Sequence, residues 1–435
     1  MSKIKFAHLS DVHLGAWRNE KLNHIGYQAL EIAIDKMIEE NVDFVILSGN
    51  LYDISNPKVD VVDLATKLLK KLKDSDIPVY GIMGSHDFSP SDKSMIRPLI
   101  TAELFTNVSQ AIWTEQEKIQ LLFTEDPKTK VKITGLRARK RYLEVNDYKL
   151  LDLKALENER GVKIFVLHSL IEKFKPSIYS DIEGVPESLL PKGFAYYAAG
   201  HLRNPVPIKL RDEKPIKIDE KTNLIYPGCL SPTNFLELEE IKYGGFCIVS
   251  GETDSQKATL KVQYIPVKVM EFESLKINCK DKSVEEAKAL IDEEIIKRDI
   301  KNKIVTIRIF GMLSKGKTFE LDSNEIVKTA KKKGAFEVLI NKRALFSKDY
   351  EEPVETEERK EEIKSNEDIE KTIINDCVSQ SASISELGVP KPQNVILELL
   401  NALGKEREED VKVKEYKQNL EAKSIEILGL KKFEE

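Results

Sequence analysis

Short apolar runs punctuate the first half of the chain, at residues 4–9, 44–47, 79–82, 164–167 and 194–199. Runs of that length, bounded by Gly or polar residues, predict buried strands of a largely parallel sheet. Between the first two, Leu30, Ala33, Ile34, Met37 and Ile38 recur at helical spacing. A second helix is expected after Asn56-Pro57, with Pro at an early helical position. Its main stripe is Val61, Leu64, Ala65, Leu68 and Leu72, and Val62 and Leu69 widen the apolar surface to a second face. Both stripes read first as core; a self-association surface is the alternative.

From roughly 205 to 267 the pattern becomes short alternating segments separated by turns, at 207–210, 215–218, 223–226, 245–249 and 258–266. These predict antiparallel strands that close a first domain, 1–266. A second unit, 267–346, alternates strand 274–279, a helix with the capping box Ser283 to Glu286, strand 304–310, a helix opened by Asp322 and Glu325, and strand 336–340. Lys331, Lys332 and Lys333 before Gly334 suit a helix C-terminus. The alternation predicts a small α/β module without a catalytic constellation. Residues 347–383, dense in Glu and Lys, read as a solvated linker. In the tail, 384–435, Ile396, Leu399, Leu400 and Leu403 fall on one helical face, and a more charged helix is expected from about 409 to 427. Two short helices past a charged linker bury little alone, which predicts a partner surface, docking onto their own domain being the alternative.

A length of 435 residues exceeds one compact core. With 32% charged residues and a net charge of only −5, any nucleic-acid contact must come from a local basic patch. The candidate is Arg137, Arg139, Lys140 and Arg141, followed by Tyr142, after a strand expected at 130–136. A basic run with an aromatic suits phosphate contact, and a solvated loop explains it equally well. Cys229, Cys247, Cys279 and Cys377 are scattered without a CxxC, which indicates neither a disulfide framework nor a zinc knuckle. No leader-like start is present, and no apolar run reaches the roughly 18 residues of a membrane span. An intracellular protein is expected, cytoplasmic (nucleoid-associated) or nuclear, with no membrane partner.

All six histidines lie at or before His201, so metal chemistry belongs to the first half. The apolar runs lead into Asp11-Val12-His13, Gly49-Asn50-Leu51-Tyr52-Asp53, Gly84-Ser85-His86-Asp87, His168 and Gly200-His201-Leu202-Arg203. In open α/β sheets, ligands gather beyond the carboxyl ends of the strands. Five such ends aiming Asp, His, Asn and Ser at one place would assemble a hard or borderline metal site. The order follows the metallophosphoesterase template D-x-H, G-D-x-x-D, G-N-H-D, H, G-H-x-H. In that template two ions clamp the attacking and leaving oxygens of a phosphodiester and acidify bound water. A lone D-x-H says little; five pieces in order are specific.

Ser10-Asp11-Val12-His13-Leu14-Gly15, Ser48-Gly49-Asn50-Leu51-Tyr52-Asp53 and Tyr226-Pro227-Gly228 resemble the meiotic-recombination-eleven family. That family is the nuclease subunit of the DNA double-strand-break repair complex, and its bacterial counterpart is SbcD. The resemblance covers roughly 1–250 by motif and continues by order and size. It implies an α/β fold, a calcineurin-like metallophosphoesterase sandwich with a small α/β capping domain and a C-terminal helical tail. It also implies a manganese-dependent DNA exo/endonuclease and a homodimer, its contact made by the apolar N-terminal helices. The C-terminal helices would bind an SMC-like coiled-coil ATPase. Asp11, His13, His168 and His201 match metal ligands, and His86 matches the residue used at the leaving or attacking group. Three positions depart: Asn50 stands for the bridging Asp, Ser85 for a ligand Asn, and Arg203 for the final His.

Two divalent ions bring four positive charges, which the family answers with two carboxylates. Here Asp11 is the only carboxylate among the matched positions, and Arg203 adds a charge that does not titrate. The site therefore reads as two units more positive. A guanidinium roughly 4 Å from a divalent ion, at an effective dielectric of about 20, meets repulsion of order 8 kcal/mol. A neutral amide also bridges two ions poorly, and Asp53 and Asp87 match no ligand position. The expectation is no normal dinuclear site, which weighs against manganese. The surviving residues would hydrogen-bond one another, and Arg203 would grip a DNA phosphate bidentately. The function read from this is a DNA-end-binding scaffold for the ATPase, its two-metal nuclease activity impaired or lost. The alternative is an active manganese nuclease with an atypical ligand set. A small-substrate phosphodiesterase is disfavoured by the extra module and tail.

Overall fold

The computed structural model describes residues 2–89, 91, 93–180, 182–208, 216–217, 223–254, 256–349, 395, 398–399 and 413–427. The chain divides into two units, Met1–Asp349 and Tyr350–Glu435.

In the first unit, strands β1 (Ser2–Leu9), β2 (Phe44–Ser48) and β3 (Val79–Ile82) run parallel. A second group, β4 (Lys132–Leu136), β5 (Lys163–His168) and β6 (Tyr196–Gly200), also runs parallel. The five apolar runs do not share one sheet. β1–β3 belong to a seven-stranded sheet, extended antiparallel from β1 by β7 (Gly244–Thr253) and β8 (Ala258–Val267). β4–β6 belong to a five-stranded one. A buried run reports that a strand is covered on both faces, not which neighbours it pairs with. Leu224–Ile225, expected among closing antiparallel strands, instead pairs parallel with β6. Residues 209–215 and 218–222 of that stretch lie outside the described residues.

Alternation along β1 divides the core. Phe6 joins Phe44, Ile46, Ile164, Val166 and Tyr196 between the two sheets. Ala7 and Leu9 turn to the other face, onto helices α1 (Glu20–Glu39) and α2 (Val59–Asp74). His8 sits inside the sandwich, Nε2 2.7 Å from Ser48 Oγ and Nδ1 3.0 Å from Tyr196 OH. Burial lowers its pKa to about 3. On α2, Leu69 is buried in the same core as Leu68 and Leu72, and Val62 packs against it. The wider stripe is therefore core packing, while Val59 at the helix start is 82% exposed.

The later α/β alternation is present as predicted. Strands β9 (Phe272–Asn278), β10 (Ile304–Leu313) and β11 (Glu337–Ser347) form a parallel sheet, ordered β9-β10-β11. Helix α4 (Val284–Lys297) opens on the reciprocal Ser283–Glu286 capping box, and α5 (Ser323–Lys332) on Asp322, whose side chain accepts from Asn324 rather than Glu325. Helix α3 (Phe235–Glu240) meets this sheet: Glu239 accepts from Arg308 Nε and Nη2, and the Arg308 guanidinium lies over Phe235. In the second unit, a helix α6 spans Val413–Ile427, within the range expected from the sequence. Of the other tail stripe only Leu399 is described, in helical conformation; apart from 395 and 398–399, residues 350–412 lie outside the described residues. Among the described residues no helix is long and apolar enough to cross a membrane.

Candidate metal centre

The polar residues after β1, β2, β5 and β6 converge where the two sheets end. The β1 and β2 loops zip together: Asp11 N donates to Gly49 O (3.1 Å), His13 N to Asn50 O (3.0 Å) and Leu14 N to Leu51 O (2.9 Å). Asp11, His13, Asn50 and His201 carry φ of +50°, +49°, +58° and +101°. Non-glycine residues adopt this region rarely, and such strain concentrates at functional sites. A Cβ on Gly84 would run into the Asn50 amide and backbone, so this loop needs a glycine for close approach. Asp87 ties the β2 and β3 loops by accepting from the backbone N–H groups of Asn50 (2.7 Å), Gly84 (2.8 Å) and Tyr52 (3.0 Å). Burial nonetheless raises its pKa to about 6. Its role is structural.

Asp11 lies at the centre, fully buried. Oδ1 accepts from Asn50 Nδ2 (3.0 Å) and faces His13 Nε2 (3.4 Å), while Oδ2 accepts from His201 N (2.8 Å). His13 is held from both ends, Nδ1 lying 2.9 Å from Asp53 Oδ1. Burial opposes charging His13, but its two carboxylate neighbours win and raise its pKa. His86 packs edge-on against His13 at 4.7 Å between ring centroids, its N–H donating to Asn50 Oδ1 (3.0 Å) and Nδ1 lying 2.6 Å from the Asp53 carbonyl. His168 Nδ1 is 2.7 Å from the Ser48 carbonyl, and its ring lies 5.2 Å from that of His201. Burial depresses the His168 pKa to about 4 and lowers that of His201, so both rings are neutral at pH 7. Their Nε2 atoms are buried without a partner.

Arg203 departs from the expectation of a free, phosphate-gripping guanidinium. Its Nε and Nη2 donate to the two oxygens of Glu237 at 2.8 Å each, and Nη2 also reaches Thr233 Oγ1 at 2.6 Å. The bidentate edge is thereby spent, leaving buried Nη1 unpartnered. Glu237 also corrects the charge count. It is a partly buried carboxylate, its pKa lowered by Arg203 despite burial, and it offsets the Arg203 charge, so the centre is one unit more positive than the template rather than two. Sequence reasoning missed Glu237 because Asn234-x-x-Glu237 signals only a helix start, which Asn234 indeed caps. Asp53 was set aside because it matches no template ligand, yet it shares its carboxylate with His13. One ligand atom each from His13, Asp53 and His86 lies within 4.8 Å of the others, a group able to hold a divalent ion.

The template's pair of ions does not fit these residues. Both oxygens of Asp11 already accept from protein donors, and position 50 offers a neutral amide. A guanidinium occupies the place of the last imidazole. Ser85 enters through its backbone, its carbonyl accepting from Lys140. The basic run borders the centre: Arg137 and Lys140 lie over the Phe88 ring at 5.4 and 5.3 Å, and Tyr142 packs edge-on against His201 at 5.4 Å. Arg139 pairs with Asp147 at 3.2 Å on the surface, an interaction worth about 1 kcal/mol or less. The Arg141 side chain lies outside what the structure describes.

Residues 4–203 match the family of calcineurin-like phosphoesterases. The DNA double-strand break repair protein Mre11 of Saccharolobus solfataricus is 32% identical over 46% of this chain and 49% of its own. That of Sulfolobus acidocaldarius is 34% identical over 46% and 50%. The Methanococcus maripaludis protein of the same name is 26% identical over 62% and 68%. The matches thus span about half the length of the first two relatives. A solved dimetal phosphatase from Danio rerio aligns with 61% of this chain and 99% of its own at 12% identity and a TM-score of 0.33, a likeness too slight to bear on the site. The ordered strand-end motifs and these relatives make residues 4–203 similar to calcineurin-like phosphoesterases and support a kinship with the Mre11/SbcD family.

Proposed function

We propose that this chain is a DNA double-strand-break repair subunit that binds DNA ends and acts as a scaffold for an SMC-like coiled-coil ATPase, its two-ion nuclease chemistry lost. The observation that carries this reading is the Arg203–Glu237 pair at 2.8 Å, where the template needs an imidazole ligand. Relatives named as double-strand break repair proteins support the repair role. Arg137, Arg139, Lys140 and Arg141 supply the DNA-backbone contact beside the centre, a sequence-independent term that weakens with salt. His86 keeps its place beside His13. Residues 1–266, 267–346, 347–383 and 384–435 are assigned as nuclease-like domain, capping domain, linker and ATPase-binding tail. The partner helix lies on the tail, and the start of α2, with exposed Val59, supplies the homodimer contact. The protein works where the DNA is, at a nucleoid or in a nucleus.

The test pairs two assays on the purified chain with DNA ends. Salt-dependent binding, weakened uniformly by Arg137→Ala with Lys140→Ala, is expected alongside no manganese-dependent cleavage above a His86→Ala control. Efficient cleavage would overturn the reading. One observation favours a second reading, an active manganese nuclease with an atypical ligand set: the unpartnered Nε2 atoms of His168 and His201. The same cleavage assay decides between them.

A further inference from the structure

We propose that this chain binds a single divalent transition-metal ion, displaced from the two template positions, through His13, Asp53 and His86. The inference does not depend on the DNA-end reading, since it concerns only what the β1, β2 and β3 loops hold.

Both imidazoles are oriented for the role. Metal-ligating histidines present one ring nitrogen to the ion and the other to an oxygen acceptor, which fixes tautomer and ring plane. In His13, Nε2 faces Asp11 Oδ1 at 3.4 Å, which leaves Nδ1 toward Asp53 Oδ1 at 2.9 Å. In His86, Nδ1 is 2.6 Å from the Asp53 backbone carbonyl, which leaves Nε2. Asp53 therefore orients one ligand with its carbonyl and offers its carboxylate as the third. Its side chain is 29% exposed, so it meets solvent where the fully buried Asp11 does not.

The chemistry of the set decides the class of ion. Two imidazoles and one carboxylate suit borderline ions such as zinc or cobalt, and suit magnesium or calcium, which want all-oxygen shells, poorly. Three protein ligands at a partly open rim leave a coordination position for water or a phosphate oxygen. The negative charges of Asp53 and, behind His13, Asp11 match one divalent ion. The Arg203 guanidinium is paired with the Glu237 carboxylate, which offsets its charge on the site. None of the three ligands comes from the second sheet, so this site does not need His168 or His201.

The experiment is equilibrium dialysis of the full chain against cobalt(II), with visible absorption reporting coordination. The expected result is one ion per chain. Asp53→Asn and His86→Gln should each weaken binding by about tenfold or more, while His168→Gln changes it by less than about threefold. Thermal melts identify any variant that fails to fold; should Asp53→Asn be one, His86→Gln decides. No binding, two ions per chain, or loss of binding with His168→Gln but not with His86→Gln would each overturn the proposal. A protein that binds cobalt as expected but not DNA would leave this site standing and defeat the repair reading instead.

Discussion

Replacing Glu237 by Gln tests the Arg203 substitution where it is most exposed to failure. The change removes one charge and keeps nearly the same volume. In the native protein the pair makes two hydrogen bonds of 2.8 Å, with side chains 20% and 12% exposed. Breaking a buried pair by removing one partner costs about 3–5 kcal/mol, because the remaining charge is left desolvated. The residual exposure of Arg203 lets water relieve part of this, so about 2–3 kcal/mol is expected. Removing both charges, in Arg203→Met with Glu237→Gln, should recover at least about 1 kcal/mol relative to the single variant. Urea unfolding followed by Trp17 fluorescence suits the measurement, because the Trp17 indole donates to the Pro232 carbonyl, next to the Thr233–Glu237 turn. A single variant within about 0.5 kcal/mol of the native protein, or a double variant less stable than the single, would refute the idea that Glu237 neutralises a trapped guanidinium.

Three further outcomes follow from the same geometry. Gly84→Ala should destabilise the β3 loop by about 2 kcal/mol or more, since its Cβ meets backbone and a buried amide; calorimetry checks it. The His8 contribution to stability should be lost as pH drops from 6.5 toward 4: the His8 pKa is depressed to about 3 from 6.5, so the unfolded chain binds the extra proton first. This contribution is fully present above pH 6.5, and about 3.5 kcal/mol of it is lost by pH 4 at about 1.4 kcal/mol per unit; the difference in unfolding free energy between the native protein and His8→Gln should shrink across that window. Restoring the template with Asn50→Asp, Ser85→Asn and Arg203→His, together with Glu237→Gln to remove the widowed carboxylate, should produce manganese-dependent cleavage of DNA ends. Absence of cleavage in that folded variant would mean that the positions around the ligands have drifted too.

The strand-end motifs were legible because each is local: a buried run, a glycine, then a polar residue facing the crevice. Asp11, His13, Asn50, His86, His168, His201 and Arg203 do come together as their order predicted. What was not legible depends on pairing across the chain. Buried runs do not say which sheet they enter, so two facing sheets read as one, and Leu224–Ile225 was assigned the wrong direction. Glu237 lies 34 residues beyond Arg203, and the chain between them carries no sign of the contact. Asp53 was visible but unmatched, and only its distance to His13 shows that it shares the site. The basic run was recognised by composition, whereas its position against Phe88 and the Ser85 carbonyl is set by tertiary packing.

The central claim is that this centre cannot seat a pair of ions. Manganese titration of the native chain followed by electron paramagnetic resonance addresses it directly, since two neighbouring manganese ions couple and give a signal distinct from isolated ones. The account predicts no coupled signal at any manganese concentration and at most one ion per chain. A coupled pair, with two ions bound per chain, would contradict it.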